Sequence, residues 1–104
     1  MDCVFCKIIR KEIPGNIWEE NEYVIVFMSL ENHPLVVPKK HIPDIYSLDE
    51  ETGAEIMRTS IRVSKRVKKE FKCDGIYVTQ ANEVAAGQEV FHYHMHIQPR
   101  FNPA

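Results

Sequence analysis

The sequence has no apolar run long enough to cross a bilayer. Its longest, Tyr23 to Met28, is far short of the roughly 20 residues a spanning helix needs. The first residues show no signal-peptide pattern, so the cytoplasm is the expected location. Cysteine is scarce and odd in number, three in 104 residues, which argues against a disulfide framework. An excess of either charge is lacking too. A net charge of −2 gives no electrostatic reason to expect nucleic acid or a membrane as partner. Repeats and low-complexity segments are absent. What is present, 44% hydrophobic and 27% charged residues, has the balance of a globular protein. The length fits one domain, residues 1–104, with a small core.

Periodicity divides the chain into elements. Residues 2–10 carry apolar side chains at helical spacing, and Pro14-Gly15 ends that segment with a turn. Asn16 to Glu19 reads as a short strand. Tyr23 to Met28 is β-rich and almost continuously apolar, which predicts a central strand buried on both faces. Leu35 to Val37, closed by Pro38, should pair with it as a hairpin. Ser47-Leu48-Asp49-Glu50 reads as a capping box opening one long helix. Along that helix Ile56, Ser60, Val63, Val67 and Phe71 form an apolar stripe, opposite Arg58, Arg62, Lys65, Arg66 and Lys69. With an acidic whole and no interleaved aromatics, the basic side reads as a solvated face. Asp74-Gly75 should stop the helix, and Ile76 to Thr79 forms a fourth strand. Strands in a run with one helix inserted imply an α+β fold around an antiparallel sheet.

The last strand organises the rest. In His92-Tyr93-His94-Met95-His96-Ile97-Gln98, ring-bearing polar and apolar residues alternate strictly until Pro99 ends the run. In an extended strand the three histidines share one face, spaced by roughly 6.5–7 Å, and Tyr93, Met95 and Ile97 share the other. Imidazoles in a row can do three things. They can hold a metal together, divide attack on phosphorus and oxyanion contact between them, or merely pack. Side chains on one strand rarely converge on one ion, because the outer pair lie roughly 13 Å apart at Cα. The small-residue turn Ala85-Ala86-Gly87 just before the row favours the second, since N–H groups of Gly87, Gln88 and Glu89 can point at an anion.

Cysteine supplies another chemistry. Cys3 and Cys6, spaced C-x-x-C, suit a metal or a redox pair, whereas Cys73 reads as an ordinary semi-buried thiol. With His41 and His92 the pair completes a set of two thiolates and two imidazoles. Zinc in such a closed site would be structural, tying the N-terminal helix to the sheet. The alternative is two free cysteines.

H-Y-H-M-H-I-Q at residues 92–98 resembles the histidine triad (HIT) motif, His-φ-His-φ-His-φ-φ. C-V-F-C-K-I-I-R-K-E-I-P (3–14), L-V-V-P-K-K-H (35–41) and A-A-G-Q-E-V-F-H (85–92) are similar to family segments, in the family's order. The branch it most resembles contains bacterial HIT proteins, the Hint phosphoramidases and dinucleoside polyphosphate hydrolases. The resemblance implies a five-stranded antiparallel sheet and a homodimer. It implies attack by His94 on the α-phosphorus of a purine nucleotide, giving a nucleotidyl-histidine that water hydrolyses. His96 would contact phosphate oxygens and His33 would assist. Gln88 and the adjoining backbone, with Glu89, would lie at the phosphate, and Phe5, Ile8 and Ile13 would line the base pocket. The zinc ligands of bacterial relatives match Cys3, Cys6, His41 and His92.

Departures fall where substrate binds. Ser29, followed by Leu30, stands where the family has an Asp-φ pair for the ribose, and the connection to His33 is several residues short. Ala81, Glu83 and Glu89 replace residues commonly Asn, Gly and Ser, and a carboxylate beside a phosphate site repels an anion unless turned away. Two functions are therefore expected to compete. One is a nucleotide hydrolase acting through His94; the other is a nucleotide-binding or protein-interaction module with little turnover.

Overall fold

The computed structural model describes residues 3–104. Five strands form one antiparallel sheet: β1 (Ile17–Glu20), β2 (Val24–Met28), β3 (Pro34–Pro38), β4 (Gly75–Thr79) and β5 (Met95–Arg100), in the spatial order β1-β2-β3-β5-β4. A short helix, α1 (Val4–Ile9), precedes them, and a long one, α2 (Glu50–Glu70), is inserted between β3 and β4. The fold is α+β as expected, with one long helix and a short N-terminal one. Asp2, part of the expected first helix, lies outside the described residues.

The β2–β3 hairpin is the centre, in register from Val24↔Pro38 to Met28↔Pro34. Val24, Val26 and Val36 face α2 and meet Ile56, Val63 and Val67 from its apolar stripe. Ile25, Phe27, Leu35 and Val37 face the other way, under Cys3 and Phe5. Each such side chain removed from water contributes about 1.5–3 kcal/mol, so the hairpin anchors two dry layers. On the outer side of α2, Arg58, Arg62 and Arg66 are taken up by Glu55, Glu19 and Glu70. Arg66 also lies 3.9 Å over the Trp18 ring.

Four local expectations change. Asp49, not Ser47, caps α2: its carboxylate accepts from the Thr52 N–H at 2.9 Å and from Thr52 Oγ1 at 3.0 Å. Ser47 instead closes a 3-10 turn, Ile45–Ser47, capped by Asp44. The helix stops before Asp74, because Lys72 turns into the left-handed region at φ 52°, and Lys68 Nζ holds the Cys73 carbonyl oxygen at 2.5 Å. Cys73 itself is fully buried. Finally, β5 starts at Met95 and runs through Pro99 to Arg100 rather than spanning 92–98. Arg100 O accepts from the Asp74 N–H on the β4 side. The imide nitrogen of Pro99 therefore points the other way, where β3 has already ended, and no ladder bond is lost there.

Candidate active site and metal centre

His92 to His94 precede the ladder, yet their alternation survives. The Tyr93 N–H donates to Ile42 O at 2.6 Å, holding this stretch extended against the His41–Ile42 segment. Tyr93, Met95 and Ile97 pack toward α2, which leaves the imidazoles on the opposite face. There the rings stand in a chain. Phe5 meets His92 and His94 edge-on at 5.9 and 5.0 Å, and His94 and His96 are 4.8 Å apart between centroids.

Each ring's hydrogen follows from its partners. His92 is fully buried, and its Nε2–H donates to Pro38 O at 2.8 Å. A carbonyl only accepts, so the hydrogen sits on Nε2 and Nδ1 keeps its lone pair. His94 is the mirror case: Nδ1–H donates to His92 O at 2.7 Å, so its Nε2 carries the free lone pair. His96 Nδ1 and His33 Nε2 are 2.9 Å apart and share one hydrogen. Burial pushes His33, His92 and His94 below the usual imidazole range, and His96 down to about 4 through burial and then the charges of His94 and His33. All are neutral at pH 7, as a nucleophile or metal ligand must be.

The lone pair of His92 is aimed at sulfur. Nδ1 lies 3.4 Å from Cys3 Sγ and 3.6 Å from Cys6 Sγ, and His41 Nδ1 lies 3.2 Å from Cys6 Sγ. The four ligand atoms fall within 4.8 Å of one another. A tetrahedral zinc with bonds of about 2.3 Å to S and 2.05 Å to N sets S···N edges of about 3.6 Å, so the cluster fits such an ion. The Pro38 carbonyl on the far nitrogen is the orienting partner that metal-bound histidines use. Burial and the adjacent Cys3 raise the Cys6 thiol above its usual range. Two thiols this close do not both ionise without a cation. α1 brings Cys3 and Cys6 to the sheet because Phe5, between them in sequence, is buried against Phe27, with ring centroids 5.3 Å apart.

Other expected residues are placed as follows. Ile8 is half-buried against Gly15, where an added Cβ would come within 2.9 Å of Ile8 Cγ2; Ile13 is half-buried on the connection that follows. Ser29 and His33 bracket the β2–β3 turn. Ser29 Oγ accepts from the Glu31 N–H at 3.1 Å and lies 3.4 Å from His33 Nδ1. Leu30 stands wholly exposed at the tip of this turn, and Glu89 is exposed.

The loop before the row differs from expectation. The N–H groups of Gly87 and Gln88 do not face an open site: they donate to Val84 O and Glu83 O at 2.9 and 3.1 Å, closing a 3-10 turn. Gln88 is buried, and its amide works as a latch. It accepts from the Glu83 N–H at 2.6 Å and donates to Pro43 O at 2.6 Å and Val90 O at 3.2 Å. The latch holds Glu83 at φ 75°, ψ 161°, a region nearly reserved for glycine and costing about 1–3 kcal/mol. Nothing in the linear sequence signals this latch, nor the role of the Pro38 carbonyl.

A sheet presenting neutral imidazoles on one face, beside a cluster of four residues able to hold a metal ion, defines an α+β protein with a histidine-lined site. The HIT domain family matches residues 10–103. The chain belongs to the HIT family. It is 36% identical over 104 residues to the Bacillus subtilis "Protein hit", covering 96% of this chain and 72% of that one. It is 34% identical to the adenosine 5'-monophosphoramidase HNT1 of Saccharomyces cerevisiae over 102 residues, 94% of this chain and 62% of that protein. A crystal structure of a zinc-bound histidine triad family protein from Mycobacterium smegmatis superposes with a TM-score of 0.91 at 31% identity, covering 98% of this chain and 77% of that one. No helix among the described residues is long and apolar enough to cross a membrane.

Proposed function

We propose that this chain, read as one HIT domain over residues 1–104, is a nucleotide hydrolase of the Hint-like branch. Its substrate is a purine nucleoside phosphoramidate or a (di)nucleoside polyphosphate. One observation carries the reading: Nδ1–H of His94 is tied to His92 O at 2.7 Å, which leaves Nε2 as a fixed, unprotonated nucleophile beside His96. The likeness to the yeast phosphoramidase supports it. His94 Nε2 attacks the α-phosphorus. The bond to the leaving nitrogen or oxygen breaks with its electron pair on the leaving atom, which takes up a proton. Water then hydrolyses the nucleotidyl-histidine. His96, hydrogen-bonded to His33, faces the phosphoryl oxygens. Phe5, Ile8 and Ile13 form the apolar wall for the base, and Ser29 with Leu30 borders the sugar. The loop that carries Gln88 and Glu89 flanks the phosphate, its shape held by the Gln88 amide.

Zinc is the cofactor, held by Cys3, Cys6, His41 and His92. When bound it supplies a cross-link between α1 and the sheet, and no step of the reaction passes through it. The zinc-bound relative supports this assignment. A zinc-thiolate pair at Cys3 and Cys6, with no disulfide to Cys73, fits a reducing, cytoplasmic setting. β4 is an edge strand with Val78 exposed, and α2 leaves Met57 and Ile61 exposed, which suits a homodimer contact that sedimentation at micromolar concentration tests.

The test of the chemistry is single-turnover trapping of a nucleotidyl adduct with an adenosine phosphoramidate. The adduct should form on the parent chain and be absent from His94→Ala. Equal reaction of the variant would sink the reading. A second reading, a nucleotide-binding module with little turnover, is favoured by the latched loop: Gly87 and Gln88 already spend their N–H groups internally. Stoichiometric nucleotide binding without turnover would select it.

A further inference from the structure

The histidine face of the sheet is covered unevenly. α1 and Phe5 lie over β2 and β3, whereas beyond His96 the face is open. A groove of about 280 Å³ begins at His33 and runs along the end of β5, lined by Glu31, Asn32, Gln98, Pro99 and Arg100. Two features create it. The β2–β3 connection is a tight turn, Ser29 to His33, closed by the Ser29 N–H on His33 O at 2.8 Å. And β3 pairs β5 only at Leu35↔His96 and Val36↔Met95, so no strand flanks Ile97 to Arg100 on that side.

The groove has an order of charge. Glu31 stands at the histidine end, where its carboxylate draws His33 and His96 toward protonation against their burial. Arg100 supplies the opposite sign further on. Its guanidinium lies 4.7 Å over the Tyr77 ring and donates to Gln98 Oε1 at 3.0 Å. Tyr77 is the register partner of Gln98, so the positive charge stands about 7 Å past His96 along the strand. Among the described residues neither Glu31 nor Arg100 is ion-paired.

We infer that this groove selects the leaving group by charge order: an amine next to Glu31 that carries an anion, carboxylate or phosphate ester, reaching Arg100. The inference rests on the proposed attack by His94 and names the leaving group for it. As the Nε2–P bond forms, the P–N bond breaks with its pair on nitrogen. The nitrogen takes one proton from water in the open groove as the bond breaks, giving the amine. It takes a second from solvent near pH 7, because the neutral His33–His96 pair has none to give. The ammonium so formed meets the Glu31 carboxylate. A polyphosphate leaving group would instead set its first anionic oxygens against Glu31, and that like-charge contact disfavours it.

The test compares kcat/KM on the intact protein for adenylyl phosphoramidates of β-alanine, of β-alanine methyl amide and of phosphoethanolamine, with ADP as the anion-first probe. A carboxylate or phosphate on the amine should favour reaction about tenfold over the methyl amide, and the larger of the two ratios identifies the anion. Arg100→Gln should bring both ratios to about one. Glu31→Gln should raise the use of ADP relative to the methyl amide by about threefold. Ratios near one in the parent chain, or ratios that survive Arg100→Gln, overturn the groove inference while adduct formation at His94 stands. If no probe yields an adduct, the His94 reading and the groove inference fall together.

Discussion

His92 and His94 are the same residue type two positions apart on one face, yet their surroundings fit them for different tasks. His92, itself fully buried, gives its Nε2–H to Pro38 O and turns Nδ1 to two thiols. His94 gives its Nδ1–H to His92 O and turns Nε2 outward beside His96. The lesson is that the carbonyl a histidine donates to decides which nitrogen is left to do chemistry. Two histidines on one face can then offer different nitrogens, one toward the thiols and one away from them, without competing for one ion.

The sharpest way to break this comparison is at His94. His94→Ala should lower single-turnover adduct formation by about a thousandfold or more and leave metal content and melting temperature near those of the parent, checked by metal analysis and calorimetry. At the other ring's site the effect moves from rate to stability. Cys3→Ser should remove the bound metal and cost about 3 kcal/mol or more in denaturant unfolding. Protein purified without added metal should carry one zinc per chain, and an unchanged content in the Cys3→Ser, Cys6→Ser double variant would refute the ligand set.

Smaller effects sharpen the contrast. Gln88→Ala strands the Glu83 N–H and the carbonyls of Pro43 and Val90, with an expected loss of about 2 kcal/mol. Glu83→Gly relieves the φ 75° conformation and should stabilise by about 1 kcal/mol. The last expected effect is on pH dependence. His96 titrates near 4 in the fold against about 6.5 unfolded. Between those values the unfolded chain binds the proton and the folded chain does not, so stability falls as pH drops from about 6.5 to 4. His96→Asn should flatten that slope in unfolding curves, and an unchanged slope would assign it elsewhere.

Much of the fold could be read in advance because it rests on period. The alternation through Tyr93, Met95 and Ile97 marks the face that packs on α2, and the step pattern of Ile56, Val63 and Val67 marks its counterpart. End positions were less legible. Ser47 and Asp49 are equally good caps by type, and only the intervening 3-10 turn gave the helix to Asp49. Pro99 looked like a strand terminator, but a proline is harmless on a side without a neighbour.

The sequence by itself determined the residue types and their order along the chain: three imidazoles at a spacing of two, a C-x-x-C pair, and His41 just past a strand. Those suffice to specify donors, because donor chemistry belongs to the side chain. Which donors meet, which nitrogen stays bare, and where Glu31 and Arg100 stand along a groove depend on contacts across long stretches of chain. Cys3 and His92 are 89 positions apart, and only closure of the sheet brings them together. The tertiary structure decided those, because a hydrogen bond to a distant carbonyl leaves no trace in local spacing.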